Sequence, residues 1–168
     1  MSSLKIRYAN ATDAAAITAI YNHYILNTTI TFEEQAVSVE EMQQRLQKVQ
    51  ALGLPYLVAE QDDAVMGYAY ATKWKERSAY RFSVETTVYL AHNATGRGTG
   101  TQLYRQLLAD LTALGINSAI GGVTLPNPAS EALHEKLGMS KVAHFNKIGR
   151  KFERWLDVGY WQITLQSE

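Results

Sequence analysis

The chain has 168 residues, with sixteen lysines and arginines against sixteen aspartates and glutamates, so its formal net charge is zero. That length fits one domain with a full core, and the charge balance argues against a nucleic-acid binder that relies on a broad basic face. The lack of cysteine excludes disulfides, thiolate metal sites and a cysteine nucleophile.

The N-terminal "MSSLKIRYAN" lacks the apolar centre of a signal peptide, and no segment approaches a membrane span. A cytoplasmic chain with no membrane attachment is expected. Leu4, Ile6 and Tyr8 alternate and predict an opening strand. Thr12 or Asp13 is then placed to cap a helix with Ile17, Ile20, Tyr21 and Tyr24 on one face. "SVEEMQQRLQKVQALG" reads as a second helix, with Ser38 and Glu41 at capping-box spacing and Gly53 at its end. "PYLVAEQDDAVMGYAYATKW" reads as two strands joined at Asp62–Asp63, with a bulge at Gly67.

"RFSVETTVYLA" is rich in β-branched and aromatic residues and predicts a further strand. After it, Leu103, Leu107, Leu108, Leu111 and Leu114 form a helical stripe that Gly115 ends. "NSAIGGVTL" reads as a strand, "NPASEALHEKLG" as a short helix, and "SKVAHFNKIG" and "WLDVGYWQITL" as two closing strands. The order β-α-α-β-β-β-α-β-α-β-β predicts an α/β (α+β) domain, a single mixed central β-sheet flanked by about four helices.

Between the fourth strand and third helix lies "HNATGRGTG". Glycines let a backbone approach a ligand and turn several N–H groups toward one point. A helix start adds unpaired donors and the positive end of a dipole, and Arg97 can add a charge-assisted contact. No Lys-Ser/Thr follows, so this is no P-loop, and the even spacing of Gly96, Gly98 and Gly100 does not fit the dinucleotide fingerprint. Read alone, the stretch is a phosphate cradle or a bare tight turn. His23, His92 and His144 show no metal-ligand spacing, and no metal is expected.

"VYLAHNATGRGTGTQLYRQLL" followed by "GGVTLPNPASEALHEKLGM" resembles the acyl-CoA-binding motifs of the GNAT superfamily of N-acetyltransferases, whose pattern is Q/R-x-x-G-x-G/A at a helix start. "TFEE", "WKERSAY", "VETTVYL", "LPNPAS", "LHEKLGM" and "WLDVGYWQ" are similar, in order, to its phosphinothricin acetyltransferase-like branch. The resemblance covers nearly the whole chain, as one N-acetyltransferase domain over 1–168. It departs at Thr95, where the family has Gln or Arg.

The resemblance implies acetyl-CoA as cosubstrate, with its pyrophosphate on Gly96, Arg97, Gly98, Thr99, Gly100 and Thr101. The pantetheine arm would pair with Val88, Tyr89 and Leu90 as an added strand, with Asn127 and Ser130 at the head of the last helix beside it. Those two also read simply as helix caps. Glu85 stands where the family places its catalytic carboxylate, to deprotonate an ammonium substrate; otherwise it is a solvated glutamate at a strand end. His134 takes the place of the family's thiolate-protonating tyrosine, an imidazolium being able to give up a proton near neutral pH. Tyr104 is the alternative acid.

Lys75 and Arg77 match positions where the branch binds an acidic amino-acid-like molecule, with Phe32, Tyr80, Thr87 and Glu85 completing the pocket. Val158 is expected to reach it, from its own or a second subunit, since the branch is commonly homodimeric. The implied activity is acetylation of the α-amine of a small amino-acid analogue of the phosphinothricin, methionine sulfoximine or methionine sulfone type. Direct attack in a ternary complex is expected, there being no cysteine for an acyl-enzyme. The alternatives are another amine (a protein N-terminus, a polyamine or an aminoglycoside) or a non-catalytic acyl-CoA-binding module. No nucleic-acid partner is expected.

Overall fold

The computed structural model describes residues 3–167. Strands β1 (Lys5–Tyr8), β2 (Tyr56–Gln61), β3 (Ala64–Lys73), β4 (Ser83–Leu90), β5 (Ser118–Leu125), β6 (Ser140–Lys151) and β7 (Arg154–Thr164) form one sheet in the order β1-β2-β3-β4-β5-β7-β6. β4 and β5 run parallel; every other neighbouring pair is antiparallel. The helices are α1 (Ala14–Asn27), α2 (Val39–Ala51), α3 (Thr99–Ala113) and α4 (Pro128–Lys136), in the chain order that the periodicities predict.

Strand alternation sends successive side chains to opposite faces, and each face has its own core. Tyr56, Val58 and Tyr68 pack with Ile17, Tyr21 and Ile25 of α1 and Met42, Leu46 and Val49 of α2. Leu57, Ala69, Ala71, Val84 and Ala119 pack with Leu103, Leu107 and Leu111 of α3. Leu114 leaves the predicted stripe and lies 55% exposed, because the helix has already ended at Ala113. Among the described residues no helix is long and apolar enough to cross a membrane.

The punctuation residues act much as the sequence suggests. Asp62 and Asp63 adopt positive φ in the β2–β3 turn, and Gly53, Gly115 and Gly138 adopt positive φ after their helices. Ser38 accepts the Glu41 N–H at the head of α2, while the Glu41 carboxylate reaches forward to Arg45. At α1, Asp13 stands at the predicted N-cap, but its side chain makes no capping bond to that helix. Asn10 caps a short 3₁₀ turn, Ala11–Asp13, that precedes the helix, and the Asp13 carboxylate accepts from the Asn10 N–H and pairs with Arg7. The bulge sits beside Gly67, where Ala59 faces Gly67 and Glu60 faces Val65, leaving Met66 as the extra residue. A Cβ at Gly67 would meet Leu90 and the Tyr89 carbonyl.

Candidate active site

β4 and β5 pair only over Ser83–Thr86 and Ser118–Gly121. Beyond them the two strands diverge, and the sheet opens in its middle. Ser83 accepts from Trp74 and Ala91 donates to Met66, both across to the β3 side. By antiparallel alternation, the backbone groups of Val84, Thr86, Val88 and Leu90 therefore point toward β5. Val88 and Leu90 consequently face the opening, as required for pairing with an extended ligand. The Leu90 carbonyl already accepts one bond, from the Tyr24 hydroxyl at 2.5 Å, and has one lone pair left.

A cavity of about 260 Å³ occupies this opening. Its walls bring together Phe32, Glu85, Thr87, Val88, Tyr89, Asn127, Ser130, His134 and Val158, all expected site residues, with Thr86, Gly122, Thr124 and Tyr160. Val158 enters the cavity from β7 of the same chain and needs no second subunit to do so. Glu85 is half-buried; loss of water pushes its carboxyl pKa up, and the nearby Lys75 cation opposes that shift.

Tyr104 is expected at the site but lies beneath the cavity wall, 1% exposed. Its hydroxyl bonds that of Thr86, which does line the cavity. Burial raises the phenol pKa far above neutrality, so the O–H stays protonated. His134 stands edge-on to Tyr104, ring centroids 5.1 Å apart. A Cβ at Gly121 would lie 2.5 Å from His134 Nε2 and 2.9 Å from the Tyr104 hydroxyl. These two polar groups thus converge on the space that a missing side chain leaves.

His134 corrects one expectation. Burial pushes its pKa below the ordinary histidine value, so the ring is neutral at neutral pH rather than an imidazolium. Nδ1 lies 2.7 Å from the Ser130 carbonyl, an acceptor only, so Nδ1 carries the proton. Nε2 is left with its lone pair, beside Gly121.

At the far end of β4, Gly96 and Gly98 adopt φ of +77° and +79°, the left-handed region that favours glycine. Gly98 is the N-cap of α3 without any side-chain cap. The first N–H bonded back into the helix is that of Gln102, on the Gly98 carbonyl. The N–H groups of Thr99, Gly100 and Thr101 therefore point out of the helix end, where an anion is stabilised. A Cβ at Gly100 would touch Leu90 and Leu133. Thr95 turns its hydroxyl back to the His92 carbonyl, so the departure from the family pattern is absorbed within the loop. Asn127 caps α4 by accepting the Ser130 N–H at 3.2 Å while also lining the cavity.

Lys75, Arg77 and Tyr80 are not in this cavity. With Glu76 they line a separate shallow depression, because the 3₁₀ turn Ser78–Tyr80 carries them outward between β3 and β4. Lys75 still acts on Glu85 through its charge. Thr86, Gly121, Gly122, Thr124 and Tyr160 are site residues that sequence reasoning misses. The "GG" of β5 was their one visible signal, since adjacent glycines inside a strand mark close approach by other groups. No group of three or more His, Asp or Glu among the described residues is arranged to hold a metal ion.

The fold and this arrangement define an acyltransferase class, and the family comparison agrees. Residues 6–159 match the acetyltransferase (GNAT) domain family, and the chain belongs to it as an N-acetyltransferase. Among curated proteins it is 40% identical to phosphinothricin N-acetyltransferase of Streptomyces viridochromogenes, over 95% of this chain and 86% of that protein. It is 35% identical to L-methionine sulfoximine/L-methionine sulfone acetyltransferase of Salmonella typhimurium, over 98% of this chain and 96% of that one. Among solved structures, a phosphinothricin acetyltransferase from Sinorhizobium meliloti in complex with acetyl-CoA superposes with a TM-score of 0.94 at 38% identity, covering 97% of this chain and 89% of that one.

Proposed function

We propose that the chain transfers acetyl from acetyl-CoA to the α-amine of a small amino-acid analogue of the phosphinothricin, methionine sulfoximine or methionine sulfone type. The observation that carries this reading is the opening between β4 and β5, with the Glu85 carboxylate on one side and the Tyr104–His134 pair on the other. The residues fit the cosubstrate. The free N–H groups of Thr99, Gly100 and Thr101, with Arg97 beside them, suit a pyrophosphate, and the backbone of Val88 suits an amide-bearing arm. Acetyl-CoA supplies an acetyl group activated as a thioester.

Glu85 accepts a proton from the substrate ammonium, directly or through water, and its raised pKa brings it closer to working range. The Val88 N–H is placed to hold negative charge on an oxygen in the opening. The Thr86 hydroxyl passes a proton from the Tyr104 phenol to the departing sulfur, and the second proton, which the nitrogen sheds as the amide forms, returns to the phenol so that its O–H is restored. His134, whose donor is committed to Ser130, orients that phenol. Attack is direct, in a ternary complex.

Lys75 contributes positive charge near the acceptor site and Arg77 extends it outward, which suits an acidic side chain better than a polycation. The proposal includes a homodimer, supported by the apolar side chains Ile148, Phe152 and Trp155, each more than half exposed on the β6–β7 hairpin. A screen of acetyl-CoA thiol release over amino acids, sulfoximines, phosphinothricin, polyamines and peptides tests the substrate class. Turnover with the amino-acid analogues is expected, and preference for polyamines or peptides would overturn the assignment.

A further inference from the structure

Lys151 ends β6 next to a hairpin turn, where a lysine is ordinarily solvated. It is instead 1% exposed, and its Nζ donates to the Thr31 carbonyl at 2.8 Å. The Phe152 ring lies 5.2 Å from Nζ, and the Glu33 and Glu34 carboxylates offset part of the cost of burying the cation. A buried ammonium aimed at a main-chain carbonyl fixes where the backbone runs, which a contact to a flexible side chain would not do.

Thr31 is the middle of the three residues, Ile30 to Phe32, that roof the cavity. The 28–38 connection carrying them is fixed elsewhere by α1 and α2. Tyr21 bonds Thr31 and Glu33, and Arg45 grips Glu33 through two bonds at 2.7 and 2.8 Å. On the β6 side the same short stretch makes two contacts with the roof. Lys151 holds the Thr31 carbonyl, and the Phe32 ring lies against Gly149, where any Cβ would collide with it.

We propose that Lys151 is a positioning residue that sets the height of this roof over the amine-binding half of the cavity, acting through Thr31 and Phe32. The inference rests on the acetyltransferase reading of the site. Its effect falls on the acceptor and spares acetyl-CoA, whose expected contacts lie on β4, the glycine loop, the start of α3 and the head of α4.

The test compares wild type with Lys151→Met, which keeps the stem and loses the ammonium, with Lys151→Gln as a second neutral variant, and with Lys151→Arg, which keeps the charge. Readouts are KM for the best amino-acid acceptor, KM for acetyl-CoA, and amide hydrogen exchange over residues 29–34. The neutral variants are expected to raise the acceptor KM about tenfold, to leave the acetyl-CoA KM within about twofold, and to speed exchange in 29–34 but not in β4 or α3. Lys151→Arg restores most of the difference. Equal changes in both KM values, no change in either, or unchanged exchange would overturn the proposal. So would failure of both neutral variants to fold while Lys151→Arg folds, which would make Lys151 a stability residue. If wild type acetylates no amine, the activity reading falls, and the exchange contrast still decides whether Lys151 holds the roof.

Discussion

Glu85 carries the clearest coupling of chemistry to stability at the residue scale. A carboxyl whose folded pKa is raised binds its proton more tightly in the fold than in the unfolded chain. Its contribution is therefore most favourable below the ordinary glutamate pKa and is lost as pH rises through the folded value. At neutral pH the charged form opposes folding, so Glu85→Gln is expected to melt no lower than wild type while turnover falls by about a hundredfold or more. The acid limb of kcat/KM, centred above the ordinary glutamate value in wild type, should flatten in that variant. Tyr104→Phe keeps the ring and removes the donor; kcat is expected to fall by about a hundredfold with little change in either KM, read by steady-state kinetics. The neutral, buried His134 gives stability that is full above about pH 6.5 and declines on acidification below it. Glu85, His134 and Asn127 were legible because the motif fixes their positions. Thr86 and Tyr160 were not, because a threonine or tyrosine in a strand looks the same whether it lines a cavity or fills a core. The outward course of Arg77 and Tyr80 depends on a 3₁₀ turn that no periodicity signals.

At the scale of elements, the glycine loop and α3 form one device. Gly98 adopts left-handed φ with open space around its Cβ position, so Gly98→Ala meets backbone strain and no collision. A cost of about 1 kcal/mol is expected, with the fold kept. Because the same residue orients the free N–H groups of α3, affinity for coenzyme A is expected to drop about tenfold, measurable by calorimetry. Gly121→Ala is the opposite case. The added methyl collides with His134 and Tyr104, so activity should be abolished and the melting temperature lowered. Helices and strands were readable in order because each has strong period and clear terminators. The terminal details were less so. Asp13 is the N-cap of α1 as expected, but Asn10 caps a 3₁₀ turn ahead of it that the sequence did not separate from the helix, since a 3₁₀ turn and an α-helix accept the same capping residues.

At the scale of the whole molecule, the element order was legible and the strand order was not. Nothing in "WLDVGYWQ" says that β7 will insert between β5 and β6, because that choice is made by long-range pairing. The exposed apolar side of the β6–β7 hairpin leads to a prediction at this scale. Sedimentation should show a dimer, and Trp155→Glu with Ile148→Glu should yield a folded monomer. The interrupted pairing between β4 and β5 has a further consequence. The sheet is two halves, β1 to β4 and β5 to β7, joined over four residue pairs and braced by helices and by the 28–38 connection. An extended ligand lying in the gap is mechanically an eighth strand. Its amide groups complete a ladder that the chain leaves unfinished, so binding should stiffen the two halves into one body. With coenzyme A at a hundred times its Kd, the fold should gain about 2.7 kcal/mol, and the slowed hydrogen exchange should appear on both banks of the gap at once.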